Sequence, residues 1–108
     1  MKFTNIEIRA CRHEPDQAYS LKDGKPIDFE FLAMKFDTDA GISVETFGFA
    51  GRSALAMGAV SAELLRPFFI GRDPDYREKH WHDYRRFNRA WNFTPAYAYA
   101  PYDIACHL

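Results

Sequence analysis

The sequence predicts an α+β domain: a three-stranded antiparallel meander followed by a helical bundle. Three observations carry this reading. Period-two alternation is confined to the first half of the chain, helical spacing is confined to the second, and the two kinds of segment do not interleave. All of the residues, 108 in number, fit one domain with a single modest core.

The first strand lies in Met1 to Arg12, where Phe3, Ile6 and Ile8 sit among polar neighbours and Ile6 to Ala10 alternates strictly. The stretch Glu14 to Ile27 comes next, carrying Pro15, Asp16, Asp23, Gly24, Lys25 and Pro26, residues that set turns and remove backbone donors. It reads as a long loop, and loops of this length usually serve function. Phe29 to Phe36 and Ile42 to Phe47 are the second and third strands, joined by Asp37-Thr38-Asp39-Ala40-Gly41 as a hairpin. Gly48 to Arg52 is expected to be a flexible link.

A helix is predicted from an N-cap at Ser53, with Met57, Val60 and Leu64 on one stripe and Pro67 ending it. Asp73 and Pro74 resemble an N-cap and a first helical residue. Beyond them Tyr76, His80, Tyr84, Phe87 and Trp91 share one side of a second helix, within about 80° at 100° per residue. Thr94-Pro95 opens a third helix, in which Pro101 predicts a kink or a restart.

Composition excludes several function classes. Hydrophobic content of 47% with 17% aromatics rules out a disordered chain. A net charge of -1 provides no global field toward nucleic acid or an anionic membrane. Neither a signal-peptide-length apolar run nor a membrane span occurs, and two cysteines are too few for a disulfide scaffold; a cytoplasmic location is expected. The chain stops at Leu108 inside an apolar, helix-like segment, as a fragment would.

No constellation amounts to a catalytic centre. His80 and His82 point to opposite sides of a helix, so they cannot share a metal, and His80 reads as a core histidine. His13-Glu14 is followed by Pro15 and lacks a second histidine at zinc-protease spacing. Cys106 and His107 diverge as sequence neighbours on a helix. Arg85, Arg86 and Arg89 could form a nucleic-acid surface, but the aromatics share one face that the arginines mostly avoid, and Asp73, Asp75, Glu78 and Asp83 dilute the charge. A free-standing binding module is the other reading of a different class.

Several segments together resemble the N-terminal capping domain of the enolase superfamily, in the mandelate racemase and muconate lactonizing enzyme group. The hairpin Leu32 to Ile42 is similar to that family's V-x-V-x-T-D-x-G. Leu65-Arg66-Pro67-Phe68-Phe69-Ile70-Gly71-Arg72-Asp73-Pro74 is close to L-x-P-x-x-I-G-R-D-P. Trp81 matches a tryptophan-bearing helix, and Asp103-Ile104-Ala105 matches the A-x-D-I-A-L-W-D segment, although Pro101 and His107-Leu108 depart from it.

The resemblance implies a capping domain over residues 1–96, with 97–108 starting the segment that leads into a C-terminal β/α barrel. That barrel would be the domain's partner and would hold the Mg2+ ligands and the acid/base groups. The reaction implied is proton abstraction α to a carboxylate, by a racemase, cycloisomerase or sugar-acid dehydratase; a homo-oligomer is left open. No catalytic or metal-binding residue carries over. Residues 14–26 and 49–53 would be the capping loops that cover the substrate. Arg52, Lys22, Lys25, His13 and Tyr19 are the candidate contacts to a carboxylate substrate.

Overall fold

Alternating burial builds a sheet whose one face carries the core. The structure is a computed structural model that describes residues 1–13 and 29–108. Strands β1 (Phe3–His13), β2 (Phe29–Thr38) and β3 (Ser43–Gly51) pair antiparallel in the order β1-β2-β3, the predicted meander. Ile6 pairs with Phe36, and Phe36 with Val44, which sets the inward row. Gly41, at φ 76°, completes the hairpin, and Thr38 clamps it through hydrogen bonds in both directions with Ile42. Ser43 donates to Asp37 at 2.5 Å, and that bond, followed by one from Asn5, holds the Asp37 carboxyl below its ordinary range.

Helical elements α1 (Ala54–Val60), α2 (Arg66–Phe69), α3 (Arg77–Phe87) and α4 (Ala96–Ala105) come after the strands. They cover the inward face, giving two layers, helix on sheet. Phe3, Ile6, Leu32, Met34 and Phe36 from the sheet meet Leu65, Phe69, Tyr99 and Tyr102 from the helices. Phe69 is fully buried at the centre, with its ring stacked on Tyr102 at 4.6 Å and edge-on to Phe3 and His80.

Several expectations are corrected by the structure. The third strand does not stop at Phe47: it runs on to Gly51, because Gly48 and Ala50 face inward against α4. Pro67 does not end the first helix. A π-helical segment, Ser61–Leu65, lies between α1 and α2, and the Arg66 amide reaches back five residues to Ser61 O. The wider turn admits the proline ring at the second position of α2. The extra residue also rotates the rest of the helical stretch by about 100°, so Ala54, Ser61 and Leu65 are the buried positions and Leu64 is only half-buried.

Asp73-Pro74 does not start α3 either. Asp73 Oδ1 accepts the Asp75 amide in a side-chain turn, and the helix begins three residues later at Arg77. The aromatic stripe holds at His80 and Tyr84, which are buried, and fails at its ends: Tyr76 and Trp91 are exposed. A second π-type segment, Asn88–Asn92, succeeds α3 and contains a kink, with Trp91 (φ 69°) and then Phe93 (φ 50°) left-handed. Thr94 is buried and hydrogen-bonded to Asn88, and Pro95 takes the cap position of α4. Pro101 sits inside α4 without breaking it.

Candidate functional site

One end of the sheet gathers the chain segments that the sequence marked. His13 pairs with Phe29, and Glu30 pairs with Gly51, so the last residue of β1, the first of β2 and the last of β3 lie side by side. β1 therefore ends, and β2 begins, at this end. Lys22, Lys25 and Tyr19 fall between them in the chain and lie outside the described residues. His13 is placed by its backbone at the end of β1.

Arg52 stands at the same end, two strands from His13. Its support is a turn closed by Ser53 N–H on Ala50 O at 2.9 Å, with the Ser53 hydroxyl donating to the same carbonyl at 2.7 Å. Gly51, at φ 60°, makes this turn; nothing crowds the space where its Cβ would stand, so its backbone angle selects glycine. Ala50 and Ala54, both buried, fix the turn on either side. The expected loop of residues 49–53 is thus mostly strand, and only the Gly51–Ser53 turn projects. Ser53 holds the N-cap position but makes no side-chain cap bond, because its hydroxyl is turned back into the strand. The Arg52 guanidinium is exposed and has no hydrogen-bonding or ionic partner among the described residues. A fixed turn carrying an unpaired cation can meet an anion from solution.

Five other titratable groups, Cys106, Tyr102, Tyr99, Asp83 and His80, are tied into the fold. Burial pushes the Cys106 thiol up to about 12, which makes it a poor nucleophile. The Tyr102 phenol is also pushed up to about 12 by burial, and Tyr99 is raised for the same first cause. Asp83 is held down at about 2 by hydrogen bonds from Lys79 and then Arg72, both at 2.7 Å. His80 is buried, its Nε2 2.6 Å from Asp73 O, and burial lowers its pKa. Among the described residues no group of three or more His, Cys, Asp or Glu could hold a metal ion. No helix among them is long and apolar enough to cross a membrane. Sequence reasoning missed the buried Ser61–Tyr102 hydroxyl pair at 2.6 Å, since the π turn that carries Ser61 inward leaves no mark in the hydrophobic spacing.

No family model matches the chain, and no curated protein matches it. Solved structures do. The N-succinyl Arg/Lys racemase of Bacillus cereus is similar over 98% of this chain, at 29% identity and a TM-score of 0.79. A Roseovarius nubinhibens protein assigned to the mandelate racemase/muconate lactonizing enzymes is similar over 98% at 25% identity, TM-score 0.76, and has also been solved with magnesium. The L-talarate dehydratase of Polaromonas, solved with Mg and L-glucarate, shares the fold over 97% of this chain at 21% identity, TM-score 0.78. The chain spans only 29%, 29% and 30% of these three proteins. The magnesium of the neighbours finds no ligand set among the described residues.

Proposed function

We propose, for a chain that is an enolase-superfamily N-terminal domain of the mandelate racemase and muconate lactonizing group, that it caps the active site of a longer, magnesium-dependent enzyme. The observation that carries this reading is that the end of β1, the start of β2 and the Arg52 turn lie side by side at one end of the sheet. On this reading that end faces the barrel, and residues 97–108 lead toward it. Arg52 pairs with an anionic group of the substrate, with His13 at the end of β1 and Tyr19, Lys22 and Lys25 beyond it as further contacts. Closing such a lid excludes water and strengthens each charged contact beneath it.

The parent enzyme abstracts a proton α to a carboxylate, as a racemase, a cycloisomerase or a sugar-acid dehydratase. The similarity to a racemase at 29% identity makes N-acylated amino acids the first substrates to try. Two free cysteines suit a cytoplasmic enzyme.

The test is carried out in the longer protein. Solvent deuterium exchange would be followed by NMR with Mg2+, offering N-succinyl-arginine, N-succinyl-lysine and L-glucarate. Arg52→Ala should raise KM by about tenfold or more with a smaller fall in kcat, since a lost charge-assisted hydrogen bond is worth about 1.5–3 kcal/mol. An unchanged KM for every turned-over acid would remove Arg52 from the site. The absence of magnesium-dependent exchange in all of them would remove the enzyme reading for these substrate classes.

A further inference from the structure

The helical side of the molecule opens into a groove with one aromatic wall and one sign of charge. Trp81, Arg85 and Asn88 follow at i, i+4 and i+7, so they stand on one side of α3 and the π turn that continues it. With Tyr84, Arg89 and Thr94 they line a groove of 340 Å³, at the small end of the range for ligand sites. Its aromatic wall is fixed: Trp81 is tilted against Tyr84 at 5.7 Å, and Tyr84 is stacked on Tyr99 at 4.0 Å. Trp81 still stays 43% exposed. A second wall is polar and held as firmly. Asn88 Oδ1 accepts from the Thr94 amide at 2.9 Å and from its hydroxyl at 2.6 Å, and the Tyr84 hydroxyl and Asn88 Nδ2 both donate to the Thr94 carbonyl. The turn that brings Thr94 back to Asn88 holds Trp91 and Phe93 in the left-handed region, at φ 69° and 50°. Bulky residues adopt that region at a cost, and such strain gathers at ligand clamps.

Among the described residues no acid lines the groove, and Arg85 and Arg89 are exposed without a hydrogen-bonding or ionic partner. Asp83, the acid nearest to Arg85 in sequence, is taken by Arg72 and Lys79, both at 2.7 Å. We infer that this groove binds a small molecule in which an anionic group, a carboxylate or a phosphate, is carried on a flat ring. The two guanidiniums take the anion through charge-assisted hydrogen bonds, and the ring lies against the Trp81 indole. Either half alone is a weak ligand: an inorganic anion leaves the indole exposed, and an uncharged ring leaves both guanidiniums unpaired. A nucleic-acid strand is a poorer fit, because it needs a track of cations along its backbone and the whole chain carries a net charge of -1. The groove belongs to the helices and is separate from the Arg52 turn at the end of the sheet.

The test is a fluorescence titration of the 108-residue chain carrying Trp91→Phe, which leaves Trp81 as the reporter, with circular dichroism to verify folding. The wild-type chain, with both tryptophans, is titrated in parallel. Benzoate and phenyl phosphate are the ring-bearing anions; inorganic phosphate and benzyl alcohol each lack one half. At least one ring-bearing anion should change Trp81 emission saturably, with Kd below about 1 mM, and the tighter of the two identifies the anionic group. Inorganic phosphate and benzyl alcohol should each bind about tenfold or more weakly. Arg85→Gln and Arg89→Gln should each weaken the ring-bearing anion by about tenfold or more. Arg86→Gln removes the same charge outside the groove and should leave binding unchanged. No saturation by either ring-bearing anion up to about 10 mM overturns the inference. Equal binding of inorganic phosphate, or an equal loss in Arg86→Gln, also overturns it, since both mark general surface charge. Tighter, salt-sensitive binding of a short oligothymidylate overturns it in favour of nucleic acid.

Discussion

Gly48 lies directly beneath Pro101: a Cβ built on Gly48 would stand 2.6 Å from Pro101 Cγ and 3.6 Å from the Tyr97 carbonyl oxygen. This contact sets how closely α4 approaches β3, and it explains two apparent faults in the sequence together. A glycine inside a strand weakens it, and a proline inside a helix removes a hydrogen bond. Each is tolerated where the other fits against it.

Gly48→Ala should therefore destabilise the fold by about 1–3 kcal/mol, the cost of overpacking a close contact. Urea denaturation measures it. Pro101→Ala should relieve the clash, so that the double variant loses less than the sum of the two singles. Additive losses would mean that the two residues are not coupled.

Tyr102 and Ser61 share a buried O–H···O bond of 2.6 Å. Tyr102→Phe leaves the Ser61 hydroxyl without that partner and should cost about 1–3 kcal/mol. Ser61→Ala with Tyr102→Phe should recover part of the loss, because two apolar groups then meet where one polar group had been stranded. A double-mutant cycle on the same denaturation curves reads this out.

Acid should act first through His80. Its folded pKa lies below 6.5, set by burial in the first place and then modified by the Asp73 carbonyl, Arg72, Lys79 and Asp83. In that state Nε2–H donates to Asp73 O, and Nδ1 is buried with no partner. The unfolded chain takes up the proton first, so the contribution is present above pH 6.5 and is lost as pH falls toward and through the folded value. His80→Phe should flatten the fall of the melting temperature below about pH 6.5. Asp83, held at about 2 against 3.8 when free, acts in a separate and lower window.

Alkali should act through Cys106. Its thiol sits at about 12 in the fold against 9.0 unfolded, and Tyr102 at about 12 against 10.0. Raised values mean that the folded state keeps protons the unfolded chain gives up, so stability is complete below about pH 9 and declines above it. Cys106→Ala should remove the decline between about pH 9 and 10 and leave the tyrosine portion above it. Melting temperatures from about pH 8 to 11 separate the two.

Much of this architecture is legible because hydrophobic alternation reports directly on a half-buried sheet. Ile6 falls on the inner face of β1 from alternation, and the buried His80 and Tyr84 fall on one stripe from helical spacing, whereas Phe29 to Phe36 is apolar on both alternations and shows a strand without showing its inner face. The illegible parts depend on contacts between distant segments. Gly48 reads as the start of a link because glycine usually marks irregular chain, and only the presence of Pro101 makes it part of a strand. Asp73-Pro74 carries a good helix-start signature, yet the Asp73 carboxylate closes its own turn and its carbonyl is taken by His80. Arg52 is legible as a cation next to flexible residues. Its turn is not, because that depends on where Ala50 and Ala54 are buried.

The π segment at Ser61–Leu65 makes chain length itself a coded quantity at that point. Between Ala54 and Phe69 the fold counts residues before it weighs their chemistry. Removing any one residue from 61–65 would restore an ordinary helix of good local geometry. The same deletion would swing Phe69 about 100° away from Phe3, Tyr99 and Tyr102. Substitution is thus the tolerable form of variation in this stretch, and a frame-preserving loss of one codon is the intolerable one.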